Sequence, residues 1–275
     1  MILQTIPFGE IVAIRGEAKY AGTRGHPLPD MIVPDKLRFA VTRKCRGLCR
    51  HCYNESGVDS DRLSTADYLR IIREVRALNP RLDRLTLTGG EPLDEKERVL
   101  AIAESASALG MRVRLVTRGW ELTAAVCREL KRAGVTRLQI GIDSPATPHR
   151  DREGKEWDSF HSWLRAEPDG LKRAWEGILV AVEAGLSVSL RYSLARSNLA
   201  LLTATYELAC AAGVAKFKLR TLFPDGRARQ SLVAELVSGV EYARAQHALI
   251  EATRGRPTVA EITQPVPMHN TLHVG

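Results

Sequence analysis

Three of the five cysteines in this 275-residue chain, Cys45, Cys49 and Cys52, lie within eight residues of one another. Thiolates this close together bind a metal or form disulfides. A structural zinc site needs four ligands, usually as two separated pairs, and the remaining cysteines, Cys127 and Cys210, are isolated in the sequence. A four-iron cluster normally takes one cysteine per iron, so three cysteines would leave one iron open to a non-protein ligand. The odd number of ligands therefore indicates a reactive site.

A second group of chemically useful residues follows an apolar-alternating run at 84–88. It consists of Gly89, Gly90, Glu91 and Pro92. We expect two glycines at a strand end to let the backbone approach a ligand closely. The glutamate beside them can accept a hydrogen bond from an ammonium group.

A CxxxCxxC loop followed by a strand that ends in GGEP resembles the radical S-adenosylmethionine (radical SAM) superfamily, and the resemblance covers residues 37 to about 230. It implies that Cys45, Cys49 and Cys52 hold a [4Fe–4S] cluster whose open iron is chelated by the amino and carboxyl groups of SAM. Reductive cleavage of SAM would give methionine and a 5′-deoxyadenosyl radical, which takes a hydrogen atom from a substrate C–H.

The same resemblance implies an external reductant protein, flavodoxin or ferredoxin, and a cluster that is sensitive to oxygen. Many peptide-modifying relatives carry a cysteine-rich C-terminal extension for auxiliary clusters, and we find none in this sequence. We therefore expect one cluster.

The composition is that of an ordinary globular protein, with 44% hydrophobic and 26% charged residues. We expect neither a membrane span nor a signal peptide, since no run of eighteen apolar residues is present and residues 1–7 lack a basic region or a cleavage site. Three clustered thiols in an odd total favour the reducing cytoplasm. The net charge of +8 permits an anionic partner, but no basic block or RNA-binding module indicates a nucleic acid.

Strands and helices alternate after residue 36. We predict strands at 37–42, 84–88, 112–117, 137–143, 186–194 and 215–221. We predict helices at 64–78, 95–109, 123–133, 171–184 and 199–212, with residues 144–170 forming a long polar loop. This order predicts an α/β fold, a partial (β/α)6 TIM-like barrel of parallel strands, with its chemistry at the carboxyl ends of the strands.

The predicted elements divide the chain into three regions. Residues 1–36 form an irregular N-terminal arm, residues 37–230 form the barrel, and residues 231–275 form a C-terminal helix and tail packed on the barrel. Within the last region we predict a helix at 238–254 and one more strand at 258–263.

The fifth predicted strand alternates apolar residues with polar ones, Ser187, Ser189, Arg191 and Ser193. The apolar residues must face the covering helices, so the polar side chains point into the barrel, where an anionic carboxylate would lie. In radical SAM enzymes, polar residues of the fourth and fifth strands commonly hold the carboxylate and ribose of SAM. This makes Asp143, Arg191 and Ser193 candidate cofactor contacts, with a merely solvated interior as the alternative.

The resemblance adds further cofactor contacts. An aromatic residue after the last cluster cysteine, here Tyr53, often packs near the adenine of SAM. The strand ends supply the remaining candidates, Gly89, Gly90, Glu91 and Thr117.

Two positions depart from the family pattern. The TNG of the third strand is Thr117-Arg118-Gly119 here, and a serine often found in the fourth strand is Gly141. A family-typical SAM contact would be rebuilt or lost, and Arg118 could instead reach the substrate.

The sixth predicted strand carries Lys216, Lys218 and Arg220 on one face. A cationic stripe facing the lumen would bind a carboxylate or phosphate, so Lys218 and Arg220 are candidate substrate contacts. As the edge of a partial barrel this strand would also carry lysine to prevent aggregation, which is the function we favour for Lys216. The PxGRA run at 224–228 resembles a loop in the molybdopterin-precursor cyclase and peptide-maturing branches, although turn chemistry alone would explain its proline and glycine.

Three further residues have an ordinary explanation beside a functional one. His51 could tune the cluster by hydrogen bonding, or it could simply be solvated. Cys127 and Cys210 have apolar neighbours, and we expect both to be small buried hydrophobic residues.

Alternatives remain for the function. The substrate could be a peptide or a small anionic metabolite, and no acid or base is assigned. A non-catalytic metal-binding or electron-transfer protein would close the site with His51 or a distal residue. A radical enzyme that modifies RNA is the third alternative.

Overall fold

The computed structural model describes residues 36–57 and 63–262. The predicted N-terminal arm therefore lies outside the described residues, except for Lys36, and so does the last residue of the final predicted strand, Thr263.

The chain divides into two compact units. The described residues of the first unit are 36–45, 63–117 and 128–137. Those of the second unit are 46–57, 118–127 and 138–262.

The described strands are β1 Lys36–Ala40, β2 Arg84–Thr88, β3 Arg112–Thr117, β4 Val135–Gly141, β5 His149–Arg150, β6 Glu156–Trp157, β7 Ser187–Leu194, β8 Lys216–Thr221 and β9 Val259–Ile262. The seven longer strands belong to one sheet in the order β1-β2-β3-β4-β7-β8-β9. The short strands β5 and β6 form a separate antiparallel pair.

The described α-helices are α1 Thr65–Leu78, α2 Lys96–Ala108, α3 Ala124–Arg132, α4 Phe160–Arg165, α5 Gly170–Glu183, α6 Leu202–Ala211, α7 Ala228–Ser231 and α8 Gly239–Ala252. Short 3-10 turns, Pro92–Glu95 and Arg196–Leu201, precede α2 and α6. The predicted helices at 95–109 and 199–212 therefore begin as 3-10 turns.

In the first unit, β1, β2 and β3 pair in parallel. Leu37 lies opposite Leu85, and Leu85 lies opposite Val113. All three side chains are buried. Because burial of such a side chain contributes about 1.5–3 kcal/mol, these apolar positions fix the register of the three strands.

Helix α1 begins at the predicted cap. The backbone N–H of Asp67 donates to the Ser64 hydroxyl at 3.2 Å, and the Asp67 carboxylate accepts from the Ser64 N–H at 3.1 Å. This reciprocal capping box satisfies two N–H groups of the first turn. The buried hydroxyl of Tyr68 then donates to the carbonyl of Ala40 at 2.8 Å, which ties α1 to the end of β1.

In the second unit, β7, β8 and β9 also pair in parallel. Arg191 of β7 lies opposite Lys218 of β8, and Lys218 lies opposite Glu261 of β9. Our expectation that the sixth predicted strand forms an edge is therefore wrong. The additional strand predicted at 258–263 covers that edge.

The predicted long polar loop is also wrong, because residues 144–170 contain the β5–β6 hairpin and α4. The Ser159 hydroxyl caps α4 by accepting from the N–H of Ser162 at 3.1 Å. Phe160 and Leu164 of α4 belong to a buried apolar cluster with Leu222 and Leu232. Their spacing of four residues was the helical signal in this part of the sequence.

Strand β4 ends two residues before the predicted boundary, at Gly141 rather than Asp143. Asp143 therefore follows the strand. Among the described helices, none combines the length and the apolar character needed to cross a bilayer.

Candidate active site

The two glycines at the end of β2 are required by neighbouring backbone. Gly89 has φ +144°, and a Cβ added there would lie 2.3 Å from the carbonyl oxygen of Thr42. A Cβ at Gly90 would lie 2.1 Å from the carbonyl oxygen of Lys44. The two glycines therefore allow a close approach to the segment that leads into the cysteines, and their approach to a ligand stays a prediction. The N–H of Gly90 donates to Thr42 at 2.7 Å, and that of Glu91 donates to Lys44 at 2.9 Å.

The structure brings two predicted residues, Glu91 and Thr117, into direct contact. Glu91 is buried, and its Oε1 accepts a hydrogen bond of 2.6 Å from the Thr117 hydroxyl. The same oxygen accepts from the N–H of Leu93 at 3.1 Å. The carboxylate is therefore held in a fixed orientation by β3 and by the turn that follows β2.

The three clustered cysteines are partly exposed, and none of them forms a disulfide. Among residues 36–57 and 63–262, no three His, Cys, Asp or Glu side chains converge on the position of a single metal ion. A four-iron cluster requires a different arrangement, since each thiolate binds its own iron and the ligands need not share one centre. Three reduced thiols on one short loop are the donor set that such a cluster requires.

Two neighbours of the last cysteine differ in their surroundings. The side chain of Tyr53 is exposed. The Nδ1 atom of His51 is buried and has no hydrogen-bond partner among the described residues. Burial, followed by the positive charge of Arg165, lowers the pKa of His51 to about 3, so the imidazole is neutral at physiological pH.

Cys49 lies beside a guanidinium group. Burial raises the pKa of the Cys49 thiol, and the charge of Arg165 acts against that rise. A cation beside a sulfur atom favours its thiolate form, which is the form that binds iron.

Asp143 is the centre of a buried hydrogen-bond network. Its Oδ2 accepts from Nε and Nη2 of Arg165 at 3.1 and 2.9 Å, and its Oδ1 accepts from the N–H of Ser193 at 2.9 Å. Burial alone would raise the pKa of Asp143, but the Arg165 guanidinium overrides this effect and holds the pKa well below its usual range. Asp143 therefore joins α4 to β7, and a contact with SAM stays a prediction.

Sequence reasoning missed Arg165, His161 and Asn198. His161 Nδ1 accepts from the N–H of Asp143 at 3.2 Å. The Asn198 amide donates to the carbonyls of Asp143 and Ser193 at 2.8 and 3.0 Å. The apolar spacing of α4 could have placed the first two on a helix, but no local signal marks Asn198.

Gly141 makes room for Arg165. A Cβ at this position would lie 1.9 Å from Arg165 Nη2. The family-typical serine and the observed position of Arg165 exclude one another. The departure at Gly141 therefore has a physical explanation within this chain.

Arg191 and Arg220 form a positively charged pair. The Nε atom of Arg191 is buried without a hydrogen-bond partner among the described residues. Burial and the charge of Arg220 lower the pKa of Arg191 to about 10, so it stays protonated near neutral pH. Ser193 lies opposite Arg220 in the β7–β8 register.

Lys216 and the other candidate substrate residues, Lys218 and Arg118, have carboxylate partners. Lys218 and Lys216 lie 3.2 and 3.0 Å from the two oxygens of Glu261. Lys216 therefore forms an ion pair between strands and does not block an edge. Arg118 pairs with Glu121 and lies 4.4 Å above the ring of Trp120.

Comparison with known proteins identifies the family. The sequence model of the Radical SAM superfamily matches residues 39–196. The chain is 30% identical over 216 residues to an AdoMet-dependent heme synthase of Methanosarcina barkeri, covering 78% of this chain and 57% of the relative. It is 33% identical over 153 residues to a GTP 3′,8-cyclase of Geobacter sulfurreducens, covering 54% and 43% of the two chains.

A solved structure shows the same fold. SuiB of Streptococcus suis, bound to S-adenosylmethionine, superposes with a TM-score of 0.65 at 12% identity, over 88% of this chain and 53% of SuiB. Another structure of SuiB holds the precursor peptide SuiA. The fold is therefore the predicted α/β fold of parallel strands and helices, a partial TIM-like barrel.

This chain belongs to the radical SAM superfamily. Enzymes of this superfamily use a [4Fe–4S] cluster together with SAM, so the class of enzyme and the cofactors read from the sequence are confirmed. The chain spans about half the length of the curated relatives it matches.

We predict that Gly141→Ala displaces Arg165 and leaves the Asp143 carboxylate buried without its cation. Loss of one partner of a buried ion pair costs about 3 kcal/mol, and urea unfolding of the metal-free protein would measure it. Gly239→Ala is the control, because no atom lies within 4 Å of a Cβ at that position. Equal stability of the two variants would contradict the assigned role of Gly141.

We predict a pH-dependent contribution to stability from His161. Burial lowers the pKa of His161, so the folded protein holds it neutral. Its contribution is complete above the unfolded pKa of about 6.5 and is lost as the pH falls below that value toward the lower folded pKa. In His161→Asn an amide oxygen can accept the same N–H without titrating. Urea unfolding at pH 7.5 and 5.5 should therefore show a smaller pH effect in the variant, and parallel losses would show that the prediction is wrong.

Proposed function

We propose that this chain holds one [4Fe–4S] cluster through Cys45, Cys49 and Cys52, binds SAM at the open iron, and abstracts a hydrogen atom from a substrate C–H. The observation that carries the proposal is the loop of three cysteines, none of them in a disulfide, in a chain of the radical SAM superfamily. When bound, the cluster and SAM supply the electron and the 5′-deoxyadenosyl radical. An external reductant, flavodoxin or ferredoxin, would deliver the electron.

The protein would bind and orient SAM. In the first unit, the carboxylate of Glu91 would accept a hydrogen bond from the ammonium group of SAM. The 2.6 Å hydrogen bond from the Thr117 hydroxyl orients this carboxylate. Gly89 and Gly90 keep the strand end against the segment before the cysteines, and their backbone is the part that would contact SAM.

In the second unit, the guanidinium of Arg191 would donate hydrogen bonds to the carboxylate of SAM. The support for this role is its buried, protonated guanidinium, which has an Nε–H without a partner among the described residues. Tyr53 would pack on the adenine. Asp143 accepts a hydrogen bond from the N–H of Ser193, so these two residues would hold β7 and Arg165 in place for the cofactor.

For the substrate we propose a small molecule that carries a carboxylate or phosphate. Arg220 forms no ion pair among the described residues, and it lies close enough to lower the pKa of Arg191. Heme and GTP, which appear in the names of two relatives, are both anionic small molecules. A peptide is the second candidate, because SuiB binds a precursor peptide on the same fold.

The first experiment reconstitutes the purified protein with iron and sulfide under anaerobic conditions and adds SAM and dithionite. We expect four irons per chain and the formation of 5′-deoxyadenosine, detected by mass spectrometry. Cys49→Ala should lose both, whereas Cys127→Ala, at a buried cysteine of α3, should keep both. Bound zinc, or a cluster that never cleaves SAM, would instead support the metal-binding alternative.

We predict that Arg191→Gln weakens SAM binding. A hydrogen bond to a charged group contributes about 1.5–3 kcal/mol, so the dissociation constant should rise roughly 10- to 100-fold. Arg244→Gln, at an exposed position of α8, is the charge-matched control. Calorimetry on the reconstituted protein measures both, and an unchanged affinity in Arg191→Gln would remove this residue from the SAM site.

A further inference from the structure

The arginine of the PxGRA run holds the cysteine loop. Arg227 Nε donates to the carbonyl of Cys49 at 2.9 Å, and its Nη1 donates to the carbonyl of Ser56 at 3.0 Å. The backbone N–H of Arg227 donates to the carbonyl of Cys52 at 3.1 Å. One residue thus fixes three carbonyls of the loop that carries two of the cluster cysteines.

The glycine of the same run permits this contact. Gly226 has φ +55°, and a Cβ there would lie 2.5 Å from the carbonyl oxygens of both Cys52 and Tyr53. Turn chemistry explains a glycine with positive φ, but it does not explain the close approach of two carbonyls. Packing against the cysteine loop explains both features.

One guanidinium nitrogen of Arg227 takes no part in these hydrogen bonds. Its Nη2 atom is buried and has no hydrogen-bond partner among the described residues. The guanidinium lies beside Cys49, because its Nε donates to the carbonyl of that residue at 2.9 Å. A buried N–H beside a cluster cysteine can donate to a sulfur atom.

We propose that Arg227 is a positioning residue that clamps the cysteine loop through Cys49, Cys52 and Ser56 and donates an N–H of its Nη2 to a sulfur of the iron–sulfur cluster. The clamp consists of hydrogen bonds between protein atoms and does not require the cluster. The bond to sulfur rests on the proposed function. A hydrogen-bond donor and a positive charge near the sulfurs favour the reduced cluster, so Arg227 raises its reduction potential.

The clamp is tested on the metal-free protein by amide hydrogen exchange over residues 46–57. We expect Arg227→Gln to exchange faster there than the parent, and Arg227→Lys to restore only part of the protection, because one ammonium group cannot serve both carbonyls as the planar guanidinium does. Arg229→Gln is the control, since that side chain is exposed and pairs with Asp225. Unchanged exchange in Arg227→Gln would overturn the clamp.

A second variant pair tests the same contact without changing charge. Gly226→Ala and Gly255→Ala place a Cβ at similar positive φ, +55° and +71°, but only the first meets other atoms within 4 Å. We expect faster exchange over residues 46–57 in Gly226→Ala alone. Equal exchange in both variants would overturn the role given to Gly226. Circular dichroism of each variant confirms that it is folded.

The bond to sulfur is tested on the reconstituted protein. Loss of an outer partner typically weakens metal binding by about 10- to 100-fold, so Arg227→Gln should release iron to a chelator at least tenfold faster. Its cluster should also have a more negative potential in a redox titration followed by paramagnetic resonance. Parental values for both quantities would overturn the bond to sulfur. If the parent itself assembles no cluster, the proposed function fails, and the exchange experiment still decides the clamp.

Discussion

The second unit depends on how one buried charge is neutralised. A carboxylate with no exposed surface, such as that of Asp143, costs several kcal/mol to bury unless a cation and hydrogen-bond donors surround it. Arg165 and the N–H of Ser193 supply them. Helix α4 must therefore pack where its last residue can reach the end of β4, and β7 must keep the register that offers its N–H to the carboxylate.

That neutralisation leaves a surplus of positive charge. Asp143 balances Arg165, and Glu261 is shared by two lysines. Arg191 and Arg220 have no comparable partner among the described residues, and their mutual repulsion contributes to the lowered pKa of Arg191. An anionic group bound at this position would relieve the repulsion, which is the physical reason for proposing that Arg191 and Arg220 bind anionic groups.

Glycines are as important as charged residues for the packing of this protein. At Gly90, Gly141 and Gly226 an added Cβ would come within 2.5 Å of a neighbouring oxygen or nitrogen. Gly90 and Gly226 let backbone pack against the two ends of the cysteine loop, and Gly141 leaves space for Arg165. Each glycine therefore serves contacts within the protein, and those of Gly90 and Gly226 help to position the cysteine loop.

Local patterns in the sequence determined the strands, most helix starts and the thiol donor set, because alternation, capping residues and cysteine spacing act between near neighbours. The sequence also placed Glu91 just after the end of one predicted strand and Arg191 on the polar face of another, because glycines mark strand ends and alternation separates the two faces of a strand. It could not show that Arg165 binds Asp143, 22 positions away, or that Lys218 binds Glu261, 43 positions away. Those pairs depend on the packing of α4 and on the β8–β9 register, and only the tertiary structure decides which charges meet and which remain for a ligand.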